Sequence, residues 1–263
     1  MTHIAAVGQP GGHLQAFMQA IEALPDVSVD VLTSADAQAR AAQFDGVAVF
    51  TRDPHEHLAI AGPLLQAGLR VFVDKPLTAD PHQAWEVITT AERSGTVVSS
   101  ASALRWLPGA LGWRSEVDEA MAAGELAEVG ASGIALPDEQ WAGAWYHGVH
   151  PVDLLGPWWA LASSGLVVDA DTDSATVSAT RADGVVVRAR ISAEKQPYRL
   201  WWVGRDGTRH ERELPVGEGY FGPITERVVG FFAGDDLVGH AECLDVITVT
   251  NALVDRWNRV RAH

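Results

Sequence analysis

Strand-like and helix-like segments alternate through the first hundred residues, and this pattern constrains the fold more than any other feature. His3 to Val7 is an apolar run that reads as a buried strand, and it breaks at Gly8-Gln9-Pro10-Gly11-Gly12. From His13 to Leu24 the residues Leu14, Phe17, Met18, Ile21 and Leu24 recur at helical spacing. Val27 to Leu32 and Gly46 to Phe50 read as the second and third strands. A helix opened by Pro54 runs to Leu65 and stops at Gly68. Val71-Phe72-Val73 is a fourth strand, Pro81 to Arg93 a further helix, and Val97-Val98 the start of a fifth strand. Strands alternating with helices pair in parallel through right-handed crossovers. The expected class is α/β, a doubly wound parallel sheet with its ligand at the C-terminal ends of the strands.

The pattern changes after Arg105. Leu111 to Ala123 is helical in spacing and ends at Gly124, Val129 to Leu136 reads as a strand, and Val149 to Leu161 reads as an apolar helix. Two period-two pairs follow. Ala175 to Ala179 and Val185 to Ile191 flank Ala182-Asp183-Gly184, while Tyr198 to Val203 and His210 to Leu214 flank Arg205-Asp206-Gly207. Asp-Gly between alternating strands signals a hairpin. Helical patterns at Pro223 to Phe232 and Ala241 to Arg261 close the chain. The expectation is two domains, 1–104 and 105–263, the second α+β with a mostly antiparallel open sheet.

Composition narrows the function. A chain of 263 residues that is 47% hydrophobic can bury a sizeable core. A single cysteine, Cys243, excludes an internal disulfide and a cysteine zinc site, and it suits a reducing cytoplasm. The N-terminal residues lack the basic and apolar regions of a signal peptide. No run approaches the roughly 18 apolar residues of a membrane span. A formal net charge of −15 repels nucleic-acid backbones. A dinucleotide remains compatible, because a helix N-terminus holds a pyrophosphate without net basic charge.

Several residues could carry chemistry. Gly8, Gln9, Pro10, Gly11, Gly12 and His13 lie between the first strand and first helix, where a dinucleotide fold places its phosphate turn. The spacing is shorter than G-x-G-x-x-G, and a tight structural turn would share it. The second strand ends in Leu32-Thr33-Ser34, so a hydroxyl at Ser34 stands where an acid usually meets the ribose. That leans towards NADP over NAD, and fits a weakened site equally. Asp74-Lys75-Pro76 follows an apolar strand end, so Lys75 faces a crevice where it can bond a reacting hydroxyl or carbonyl, or is a lysine in a surface turn. His147, His150 and Asp153 recur every three residues and share one side of a helix. They suit acid–base work through His150, capping of backbone groups, or a metal site. Asp53 and Pro54 read as N-cap and first residue of their helix. Of the ten tryptophans, Trp141 and Trp145 adjoin the His150 cluster and could line a sugar pocket.

Together these motifs resemble the glucose–fructose oxidoreductase and inositol dehydrogenase family, Gfo/Idh/MocA, along nearly the whole chain. Thr51, Pro54 and His57, with Ala67-Gly68 after them, are similar to the family's threonine-proline-histidine segment. Asp74-Lys75-Pro76 is similar to its E-K-P motif, Arg105 and Pro108 to its exit from the nucleotide domain, and Ala123 to Val129 to its connector. Gly148-Val149-His150-Pro151-Val152-Asp153 is similar to its G-x-H-x-x-D motif. The resemblance implies a Rossmann domain followed by a substrate and oligomerisation domain, hence a homo-oligomer, dimer or tetramer. It implies hydride transfer between NAD or NADP and a hydroxyl-bearing carbon of a sugar, cyclitol or similar small molecule. Lys75 and His150 would be catalytic, the first orienting the reacting oxygen and the second accepting its proton. Asp153, Tyr146, His147, Trp145 and Arg105 would border the substrate. Gly8 to His13, Ser34, Thr51, His57, Asp74 and Lys75 would border the cofactor, with no metal. The chain departs from the family in its short glycine turn, in Ser34, in Asp74 for glutamate, in Tyr146 where many members carry aspartate, and in its length. Those departures motivate a second expectation, a non-catalytic relative that senses a small molecule or serves as a partner subunit. A third is a metal-dependent lyase or hydrolase using His147, His150 and Asp153.

Overall fold

The computed structural model describes residues 1–160 and 165–263. In chain order the first half holds β1 (Thr2–Gly8), α1 (Gly12–Ile21), β2 (Val27–Leu32), α2 (Ser34–Ala39), β3 (Gly46–Phe50), α3 (His57–Gln66), β4 (Arg70–Asp74), α4 (Pro81–Arg93) and β5 (Val98–Ala101). There follow α5 (Pro108–Ala122), β6 (Leu126–Ile134), α6 (Trp145–Leu154), α7 (Gly156–Trp159), β7 (Val167–Ala170), β8 (Ser174–Thr180), β9 (Val186–Ser192), β10 (Tyr198–Gly204), β11 (Arg209–Leu214), α8 (Gly222–Ala233) and α9 (His240–Arg261). The chain forms two compact units, Met1–Ala103 with Gly217–Leu244, and Leu104–Val216 with Asp245–His263. The division expected at 104/105 takes no account of Gly217–Leu244, which returns to the first unit. Periodicity marks a helix but not what it packs against.

The first unit is a sheet in the order β2-β1-β3-β4-β5 with every pair parallel. Its central strands are covered on both faces: β3 is apolar and buried throughout, and β4 is buried from Val71 to Asp74. Strand order reverses at β1, so the crevice of a doubly wound sheet opens beside the C-terminal end of that strand. Helix α1 buries Leu14, Phe17 and Ile21, as its spacing predicts. Helix α8 packs on α1 and β1. Gly46 makes room for it, since a Cβ there would lie 2.1 Å from Cδ1 of Phe232.

Three local expectations change. Asp53 does not cap α3, which starts at His57. Its carboxylate instead accepts the His55 N–H at 3.0 Å, and its carbonyl accepts the Glu56 N–H at 3.1 Å, so a separate turn precedes the helix. Helix α1 ends at Ile21, short of Leu24. Helix α2 has no counterpart in the periodicity because it is six residues long and buries only Ala37. Its signal is the cap, with the Thr33 hydroxyl accepting the Asp36 N–H at 3.1 Å.

The second unit is a sheet in the order β11-β10-β6-β9-β8-β7, in which β6 and β9 pair in parallel and the other neighbours antiparallel. Both expected hairpins form, with Gly184 and Gly207 each at φ 84°. Strand β7 escaped the sequence reading because half its residues are exposed. Helices α5 and α6 pack on the sheet. On β9, Val187, Ala189 and Ile191 are buried, while Arg188 and Arg190 alternate with them towards the other face. There Trp201 lies across Gly130 and donates to Glu128 Oε1 at 2.8 Å. The helix expected from Val149 to Leu161 starts instead at Trp145 and breaks at Leu155, where Trp159 Nε1 donates to the Val152 carbonyl at 2.8 Å. Leu161 lies outside the described residues.

Candidate active site

In the first unit, the strand ends carry the candidate cofactor residues. Gly8 lies opposite Phe50 in the β1–β3 register, and a Cβ on it would sit 2.9 Å from the Phe50 carbonyl oxygen. Gly11 and Gly12 adopt φ of 95° and 55°, left-handed values that glycine enters without strain. Gly11 is the N-cap of α1, and no side chain caps that helix. The amides opening α1 therefore face outward with the positive end of the helix dipole, which suits an anion. Gln9 and Pro10 are exposed in the turn. Just beyond β3, the Thr51 hydroxyl is buried and has no hydrogen-bond partner among the described residues. An open glycine turn beside an unsatisfied buried hydroxyl fits a dinucleotide.

Asp74 ends β4, Lys75 follows it buried at 5% exposure, and the Lys75–Pro76 peptide is cis. The Asp74 carboxylate lies 2.5 Å from His13 Nδ1, and the His13 ring rests against Phe221 at 4.9 Å and Tyr220 at 6.3 Å. Burial is the largest influence on Asp74 and pushes its carboxyl up. The charge and hydrogen bond of His13, with the charges of Lys75 and His57, outweigh it and hold the group below its ordinary value. His57 is buried, with Nδ1 at 3.0 Å from the Pro76 carbonyl and 3.1 Å from that of Leu77, and Nε2 at 3.1 Å from that of Thr51. Its ring thus ties the end of β3 to the turn carrying Lys75. Ser34 is the first residue of α2 and half-buried. Beside it Thr33 Oγ1 donates to Asp36 Oδ2 at 2.7 Å, so an exposed carboxylate stands at this end of β2 after all. Sequence reasoning missed Asp36, although the Thr33-to-Asp36 spacing is a capping signal.

Because the Asp74 carboxyl is held low in the folded chain, its contribution to stability is present above the ordinary value near 4 and is lost as pH falls through the lower folded value. The melting temperature of the native chain is expected to drop more steeply below about pH 4 than that of Asp74→Asn. Parallel melting curves for the two proteins would remove the inferred pairing.

In the second unit, α6 gathers the polar cluster. Tyr146 and His147 are half-buried, while Trp145, His150 and Asp153 are buried. The ring centroids of His147 and His150 are 6.3 Å apart, and Tyr146 meets His147 edge-on at 4.8 Å. Tyr198, on β10, meets the His150 ring edge-on at 5.4 Å. It can do so because the opposing residue is Gly133, whose Cβ would lie 2.4 Å from the phenol ring. No local signal in the sequence links Tyr198 to His150. Asp153 accepts a bond from Arg105 Nη1 at 3.5 Å, and both are buried. A buried carboxylate needs such a partner. Among the described residues, no group of three or more histidine, cysteine or acidic side chains is placed to hold a metal ion. No helix among them is long and apolar enough to cross a membrane.

A parallel sheet reversing at an uncapped glycine turn, with a lysine just past the end of β4, defines a dinucleotide-binding Rossmann domain. Residues 6–102 match the oxidoreductase family with NAD-binding Rossmann fold, GFO_IDH_MocA. A protein of Amycolatopsis mediterranei assigned as a UDP-kanosamine synthase oxidoreductase subunit is 28% identical over 143 residues, which are 54% of this chain and 37% of that protein. The chain thus spans little more than a third of this curated relative. A Gfo/Idh/MocA oxidoreductase from Vibrio cholerae is similar in fold, at 14% identity and TM-score 0.77 with all of both chains covered. GenD2 from gentamicin A biosynthesis, solved with NAD, is 17% identical at TM-score 0.78 over 99% of this chain and 94% of its own. A variant of a 3-ketoreductase from Actinomadura kijaniata, solved with TDP-benzene and NADP, is 16% identical at TM-score 0.67 over 96% of each chain.

Proposed function

We propose that the chain is an NAD(P)-dependent oxidoreductase acting on a hydroxyl or carbonyl carbon of a sugar, cyclitol or similar polyhydroxylated small molecule. The observation that carries this reading is Lys75, buried just past the end of β4, on the same C-terminal edge of the parallel sheet as the glycine turn after β1. A bound nicotinamide supplies hydride acceptance or donation. The residues do the rest: Gly8, Gly11, Gly12 and the amides opening α1 hold the phosphates, and Thr51 offers its hydroxyl. Lys75 donates to the reacting oxygen and stabilises negative charge developing there. His150 takes the hydroxyl proton in oxidation and returns it in reduction, with Tyr198 edge-on to its ring. Tyr146, His147, Trp145 and the Arg105–Asp153 pair shape the substrate side. The NADP preference suggested by Ser34 gives way to NAD on the strength of Asp36. A carboxylate at the end of β2 accepts from a ribose hydroxyl and repels a 2′-phosphate.

The purified chain is expected to quench its tryptophan fluorescence on titration with NADH, and to bind NADPH about tenfold more weakly or worse. Binding of neither would sink the oxidoreductase reading in favour of a nucleotide-free sensor, which the short glycine turn otherwise motivates.

A further inference from the structure

We infer that Arg52 is a positioning residue for the cofactor, a guanidinium clamp on the diphosphate that stands in for the missing part of the glycine turn. The inference rests on the nucleotide-binding reading above. Arg52 follows Thr51 immediately beyond β3 and is exposed. Its Nη2 lies 3.3 Å from where a Cβ on Gly12 would sit, and 3.8 Å from that of Gly11. The guanidinium therefore lies against the first residues of α1, and a side chain at Gly12 would push into it. Among the described residues Arg52 has no hydrogen bond, ion pair or ring contact, in a chain where most other arginines engage a carboxylate, carbonyl or ring.

Electrostatics makes this placement informative. A helix N-terminus carries partial positive charge, so a cation beside it is unfavourable and belongs at the opposite end. With an anion between them, both the amides and the guanidinium are satisfied together. The planar fork of arginine matches two phosphate oxygens, which a lysine cannot reproduce. A longer glycine turn wraps a pyrophosphate with several backbone amides. Here the turn is Gly8-x-x-Gly11-Gly12, and a side-chain cation from the neighbouring strand lies over it. The local positive charge also offsets the formal net charge of −15, which otherwise opposes binding of a dianionic ligand.

The test uses the full chain, its Arg52→Gln and Arg52→Lys variants, and equilibrium titrations with NADH, ADP, adenosine 2′,5′-bisphosphate, AMP and adenosine. Arg52→Gln is expected to weaken NADH and ADP about 10- to 100-fold, to leave adenosine within about twofold, and to flatten the salt dependence of ADP binding. Arg52→Lys is expected to recover part of the loss. Unchanged ADP affinity in Arg52→Gln would overturn the inference while leaving the cofactor reading intact. A loss confined to the 2′-phosphate ligand would also overturn it, because it would place Arg52 at the ribose instead. If the native chain binds none of the phosphorylated ligands, the cofactor reading itself fails and takes the inference with it.

Discussion

Lys75→Ala is expected to lower turnover by about 10²-fold or more while leaving the fold intact. The ammonium is buried at the end of β4, where water screens it poorly and its charge acts strongly on a reacting oxygen. Alanine removes the donor but leaves the Asp74–His13 bond and the His57 brace of the Pro76–Leu77 turn. The loss should therefore fall on turnover, with NADH affinity changing much less. Lys75→Arg keeps the charge but not the compact donor, so it should recover little. Steady-state rates on a substrate found by screening sugars and cyclitols, beside NADH titration of each variant, make the comparison. Turnover matching the native chain would remove Lys75 from the chemistry.

His150→Asn is expected to cost on the order of 10²- to 10⁴-fold in turnover and to change the shape of the pH–rate profile. In oxidation the imidazole must be neutral to take the proton, so the rate rises with pH as the ring loses its own. Asparagine keeps a polar group of similar reach but cannot titrate, so that rising limb should vanish. Tyr198→Phe leaves the ring packed over Gly133 and beside His150, and separates the phenol's polarity from its packing. A His150→Asn enzyme with an unaltered pH profile would show that the proton travels through another group.

Much of the first domain was legible because its determinants are local. Apolar runs of strand length, helical spacing in Leu14, Phe17 and Ile21, and glycine breaks appear directly in the residues, and the strands lie where these marks put them. The hairpins were legible for the same reason, because Gly184 and Gly207 each permit the left-handed turn. Elements without an amphipathic stripe were not. Helix α2 buries one residue, and β7 is half exposed. Among the candidate residues, the glycine turn, Lys75 and His150 stand out in the sequence by residue type and setting. Arg52, Asp36 and Tyr198 do not, since each depends on a neighbour distant in the chain or on a cap read only with the backbone in place. His57 was placed at the cofactor by resemblance, whereas its ring is taken up by three backbone carbonyls.

The re-entry of Gly217–Leu244 bears on how this molecule could be taken apart. A single cut after Ala103 would not release a self-sufficient nucleotide-binding half. It would strip Phe232 from Gly46 and Phe221 from His13, exposing apolar surface on the fragment. A working fragment calls for splicing residues 1–103 straight to 217–244. During synthesis the same geometry keeps the early strands waiting for a helix made more than a hundred residues later, so completing the nucleotide fold is a late event.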